Sequence, residues 1–107
     1  MTPSYKAAGE WLAAHSRADE PVMSRNPEVG YYAHRPLVAF PKADWADVVA
    51  YGRRHAAAYL VTNSWEIERL RPQLSFLLDP AQAPPELEFL AQFEDPNRTT
   101  LVYRWRF

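Results

Sequence analysis

The sequence contains no cysteine, which removes both a disulfide framework and a thiol nucleophile. That absence assigns no compartment, because a domain of 107 residues folds without staples on either side of a membrane. Glycine is scarce: Gly9, Gly30 and Gly52 are the only three, and they are far apart. A dinucleotide or phosphate loop needs clustered glycines so that the backbone can approach the phosphates, so no such loop is encoded. The three histidines, His15, His34 and His55, are equally dispersed, with no helical His pair, and metal-ligand spacing is missing. No stretch approaches the roughly 20 apolar residues of a membrane span. Residues 1–6, Met1-Thr2-Pro3-Ser4-Tyr5-Lys6, lack the apolar core of a signal peptide, so an exported protein would carry its signal or anchor outside this sequence. Charge of one sign is not in excess either. A net charge of -1 gives no electrostatic ground for binding nucleic acid or an anionic membrane.

What is present is an ordinary globular composition, 48% apolar and 23% charged, of a length that suits one domain with a single core. The organising stretch is Ala56-Ala57-Ala58-Tyr59-Leu60-Val61-Thr62-Asn63, an apolar run of strand length that suits a strand covered on both faces. Before it, Ser4 is expected to cap a first helix whose inner face is Ala8, Trp11, Leu12 and His15, with His15 partly buried, and Pro21 to end it. Pro21-Val22-Met23-Ser24 reads as a first strand, Asn26-Pro27 as the start of a short helix, and Pro36-Leu37-Val38-Ala39-Phe40 as a second strand. Asp44 is expected to cap a helix with Trp45, Val48, Val49 and Gly52 inside and Arg53-Arg54-His55 in its last turn. This αβαβαβ order argues for parallel strands joined by right-handed crossovers.

After the central run the pattern changes. Asn63 or Ser64 opens a helical segment through Trp65, Ile67 and Leu70, and Pro72 restarts it. Leu87, Phe89, Ala91 and Phe93 alternate with Glu88, Gln92 and Glu94, with Leu90 out of phase. Leu101, Tyr103, Trp105 and Phe107 alternate with an outward set of Val102, Arg104 and Arg106, and Glu94-Asp95-Pro96-Asn97-Arg98 between them reads as a turn. The expectation is a small three-layer α/β domain spanning residues 1–107. It has an αβαβαβ parallel core, a helical segment and a C-terminal antiparallel hairpin.

No motif spells out a reaction. Ser24, His34 and Asp44 make a nucleophilic triad only on paper, without a G-x-S-x-G elbow. Glu66 and Glu68, two apart on a helix, point to different sides and read as a solvated face. No catalytic, metal-binding or cofactor-binding residue is assigned. Arginine outnumbers lysine ten to two; Arg104 and Arg106 share the outward face of the last strand and Arg69 and Arg71 follow Trp65, which suits a polar outer face or, alternatively, a small anion- or partner-binding patch. Ligands of open parallel sheets bind beyond the carboxyl ends of the strands. Here those ends gather Arg25, Asn26, Lys42 and Asn63 as candidate binding residues, although helix capping accounts for the two asparagines more simply.

The residues Ala8-x-x-Trp11-Leu12, Pro21-Val22-Met23-Ser24-Arg25-Asn26-Pro27, Tyr31-Tyr32-x-x-Arg35, Leu37-Val38-Ala39-Phe40-Pro41, Ala58-Tyr59-Leu60-Val61, Arg71-Pro72-x-Leu74, Leu77-x-Asp79-Pro80 and Leu101-Val102-Tyr103 follow a recognisable order. Over roughly residues 5–105 the chain resembles the soluble C-terminal domain of bacterial multispanning membrane glycosyltransferases. These are the protein-mannosyltransferase-like and aminoarabinose-transferase-like enzymes that use polyprenyl-phosphate sugars. The resemblance implies a non-catalytic accessory domain, because the family's catalytic acidic residues lie in a loop between membrane helices that has no counterpart here. It implies an extracytoplasmic location, the transmembrane portion of a parent enzyme as partner, and a role in acceptor access near the polyprenyl-phosphate sugar. The alternative is a free-standing α/β ligand-binding protein using the polar cluster at the strand ends; a small hydrolase, lacking a nucleophile motif, comes last.

Overall fold

The computed structural model describes residues 3–107. The elements run α1 (Pro3–His15), β1 (Val22–Met23), α2 (Pro27–Ala33), β2 (Leu37–Val38), α3 (Trp45–Arg54), β3 (Tyr59–Asn63), α4 (Ser64–Leu70), two 3-10 segments (Pro72–Leu78 and Pro80–Gln82), β4 (Leu87–Asp95) and β5 (Arg98–Trp105). They form one five-stranded mixed sheet in the order β2-β1-β3-β5-β4. β1 is parallel to β2 and to β3, whereas β5 is antiparallel to both β3 and β4. The domain is therefore α/β with a C-terminal antiparallel pair, and β3 is the middle strand of the sheet.

Alternation along the strands builds a core on each face. Val22, Tyr59, Val61 and Val102 join Tyr5, Ala8, Leu12, Val29 and Ala33 beneath α1 and α2. Met23, Leu60, Leu101, Tyr103 and Trp105 join Phe40, Val48, Ile67, Leu74 and Leu77 beneath α3 and the segments after it. Every residue of β3 is buried, as its unbroken apolar run predicts.

Several local expectations are corrected. β1 and β2 are two residues each, shorter than their apolar runs, because the neighbouring prolines offer no N–H to a ladder. Ser4 lies inside α1 and does not cap it. Its hydroxyl donates to Asp95 Oδ2 (2.6 Å) and accepts from Thr100 Oγ1 (2.8 Å), tying the helix to the hairpin. α1 ends at His15, well before Pro21. Its last carbonyls are met by the Arg35 guanidinium, which donates to the carbonyls of Ala13 (3.2 Å) and Ser16 (2.9 Å). His15 is exposed and stacks on Trp11 with ring centroids 4.2 Å apart. Val102 is not on an outward face: β5 lies inside the sheet, so both of its sides are covered until Arg104. The out-of-phase Leu90 coincides with a register shift between Phe89 and Ala91, a bulge in the edge strand β4.

Candidate functional site

The sheet order brings the carboxyl ends of β1, β2 and β3 to one edge, and the corner they form is built around Glu66. Asn63, the last residue of β3, accepts the Glu66 N–H through Oδ1 (2.9 Å) and so starts α4. That cap fixes Glu66 in the first turn of α4, where its side chain is fully buried. Its carboxylate accepts hydrogen bonds from the Tyr5 hydroxyl (2.6 Å), the Thr62 hydroxyl (2.6 Å) and Arg25 Nε (3.1 Å). The Tyr5 hydroxyl is pushed far above the ordinary phenol range, first by its own burial and then by the neighbouring Glu66 charge. Arg71 closes the inner side. Its guanidinium donates to the carbonyls of Phe40 (2.6 Å) and Pro41 (3.3 Å), and burial lowers its pKa.

Glu66 fixes Arg25 through Nε alone. The Arg25 side chain is 37% exposed, and its two terminal nitrogens form no hydrogen bond with the described residues. Arg25 lies 5.6 Å from the ring centroid of Trp65, the half-exposed residue preceding Glu66. Arg98, at the start of β5, stands at the same 5.6 Å, and Arg69, one turn further along α4, at 6.0 Å. Three guanidiniums from three elements thus surround one indole, within the range of cation–π attraction. Beneath them Asn63 Nδ2 is buried without a hydrogen-bond partner among the described residues.

Of the four residues expected here, Arg25 and Asn63 belong to this corner. Asn26 sits at the same edge but is occupied as the cap of α2, accepting the Glu28 N–H (2.9 Å). Lys42 is exposed and forms no hydrogen bond or ion pair with the described residues. Glu66 corrects the solvated-face expectation, which holds only for Glu68. The missed signal is Asn63-x-x-Glu66, the spacing of a capping box, of which only the Glu66 N–H to Asn63 Oδ1 half forms; the carboxylate turns instead to Tyr5, Thr62 and Arg25. Ser24, His34 and Asp44 do not assemble. Ser24 is buried on the Asn26 backbone (3.2 Å), His34 ends α2 in the left-handed region (φ 55), and Asp44 precedes α3.

A second polar site lies at the opposite end of β3. A cleft of about 520 Å³ is lined by Ala14, His15, Ser16, Arg17, Glu20, Tyr59 and Arg104. Glu20 Oε1 accepts from the Arg17 N–H (2.7 Å) and the Tyr59 hydroxyl (3.1 Å), and Arg104 donates to that hydroxyl (3.1 Å) while facing Glu20 Oε2 at 3.5 Å. The Arg17 backbone bond chiefly holds the Glu20 carboxyl below its ordinary range, whereas burial chiefly raises Tyr59. This network satisfies its own members. Among the described residues no cluster of His, Asp or Glu is arranged to hold a metal, and no helix is long and apolar enough to cross a membrane. No known protein family, curated protein or solved structure matches the chain.

Proposed function

We propose that this chain is a non-catalytic binding domain whose ligand surface is the carboxyl edge of its parallel strands. The observation that carries this reading is the use made of Glu66: a fully buried carboxylate holds the part-exposed Arg25 by Nε and leaves the terminal nitrogens of that guanidinium without a hydrogen bond to the described residues. Burying a charge is unfavourable unless it is paired and hydrogen-bonded, and here three donors meet it. The same donors occupy the carboxylate, so Glu66 acts as a brace for Arg25 and not as a proton acceptor for a substrate. A thermal-shift screen with neutral sugars, nucleotides and polyprenyl phosphates tests the reading, because a ligand of the native state raises the melting temperature. At least one class is expected to raise the midpoint in a concentration-dependent way; a midpoint unmoved by all of them at millimolar concentration overturns it.

A second reading sets the same domain in a larger protein, as an extracytoplasmic accessory domain attached to the transmembrane portion of a glycosyltransferase that uses polyprenyl-phosphate sugars. The favouring observation is that Tyr31 on α2 is 72% exposed and Leu37 on the edge strand β2 is 42% exposed, apolar side chains that a partner would cover. Deleting the domain from the full-length membrane enzyme is expected to alter acceptor range or turnover; an enzyme unchanged in both sinks this reading.

A further inference from the structure

The arrangement around Trp65 says more about the ligand than that it is bound. Arg25, Arg69 and Arg98 come from the end of β1, from α4 and from the start of β5, and all three stand within 6.0 Å of one ring centroid. Gathering three like charges around one ring is unfavourable on its own, and the indole returns only part of that energy. Glu66 pairs with Arg25 and is the only carboxylate in an ion pair with any of the three among the described residues. The Asp95 carboxylate, in the turn before Arg98, is occupied by Ser4 and by the backbone N–H groups of Asn97 and Arg98. Glu68 is exposed on α4 and makes no ion pair with the described residues. Arg71 is turned inward to the carbonyls of Phe40 and Pro41. Of the three guanidiniums only Arg25 is in an ion pair, which leaves Arg69 and Arg98 without a paired carboxylate among the described residues.

Two unpaired guanidinium forks beside a third that Glu66 holds match a doubly charged oxyanion better than a carboxylate or a phosphodiester, each of which carries one charge. A phosphate monoester carries roughly -1.5 to -2 charges at neutral pH and offers three acceptor oxygens. The geometry points to Arg25, Arg69 and Arg98, around Trp65, as a binding site for a phosphate monoester. This rests on the carboxyl edge being the ligand surface. Arg25 is the fixed member, braced by Glu66. Arg69 and Arg98 supply the other forks; both guanidiniums face the Trp65 ring and form no hydrogen bond or ion pair with the described residues. The same chemistry is offered by a free sugar phosphate and by a monoester lipid headgroup.

Titration calorimetry with glucose 1-phosphate, in low salt, tests the assignment on the intact protein. The Arg69→Gln, Arg98→Gln double variant leaves the Glu66 network untouched and is expected to melt with the wild type while binding at least tenfold more weakly. Arg17→Gln, in the cleft at the other end of β3, is expected to bind as the wild type does. Retention on vesicles containing phosphatidic acid but not on phosphatidylcholine vesicles, lost in the double variant, identifies the headgroup as the source. Saturable binding of glucose 1-phosphate without vesicle retention identifies the free monoester. Absence of binding in both arms, equal binding by the double variant, or weakening by Arg17→Gln overturns the site. If an uncharged sugar raises the melting temperature while neither monoester binds, the phosphate assignment falls and the binding-domain reading stands; if no compound does either, both fall.

Discussion

At the scale of the residue, Glu66 decides most. A glutamate two positions from another on a helix reads as surface, yet the Asn63 cap and the Tyr5 hydroxyl pull this one to full burial. Tyr5 itself is distant in sequence, which is why periodicity within α4 could not reveal the pairing. Glu66→Gln keeps the volume but removes the charge that meets Arg25, and is expected to destabilise the fold by about 2 kcal/mol in urea denaturation. A variant as stable as the parent would show that the brace is dispensable. Titration gives a second expectation. Glu20 and Asp95 both have carboxyl pKa values below their ordinary range, held there chiefly by the Arg17 backbone N–H and the Ser4 hydroxyl respectively. Groups depressed in the native state stabilise it above their unfolded pKa, so this contribution is lost as pH falls below about 4. At the other end burial pushes Tyr103 up to about 12, and a group raised in the native state stabilises it only below its unfolded pKa near 10. Denaturation midpoints are therefore expected to fall below pH 4 and again between pH 10 and 12, with Glu20→Gln flattening the acid limb.

At the scale of the element, strand and helix types followed from apolar periodicity, and the places where the pattern misled have local causes. Leu90 marks a bulge because it is an extra residue in one strand of the pair. Val102 reads as outward because alternation alone does not tell an edge strand from an inner one; β5 is inner, so both of its faces are apolar. Two element junctions are open to direct test. α1 and α2 approach so closely at Gly9 that a Cβ there would stand 2.7 Å from Tyr32 Cβ and 3.0 Å from the Val29 carbonyl oxygen. Gly9→Ala is expected to cost about 1–3 kcal/mol by forcing the helices apart, despite the better helix propensity of alanine. At the exit of α3, Ala56 holds φ 56, a left-handed conformation that glycine adopts more easily, and it is exposed. Ala56→Gly is expected to raise stability by about 0.5–1 kcal/mol, with a lower midpoint contradicting the strain.

At the scale of the whole molecule, the sheet order turns dispersed residues into two polar ends of one central strand. The αβαβαβ order made the parallel half legible, and with it the edge where Arg25 and Asn63 would meet. What joins them there was not legible, because Tyr5, Glu66 and Arg98 reach the corner from α1, α4 and β5, and only the tertiary fold sets those distances. At the opposite end the sequence marks Arg104 as an outward arginine, but its network with Glu20 and Tyr59 is not legible, because the members are separated by 39 and 45 residues. The two ends make rival predictions for where a ligand binds. An amide chemical-shift map of the labelled protein, recorded during titration with glucose 1-phosphate, decides between them. The account predicts perturbations confined to residues 24–26, 63–69 and 98–99 together with the Trp65 indole N–H; shifts centred on residues 15–20 and Arg104, or none at saturating ligand, would contradict it.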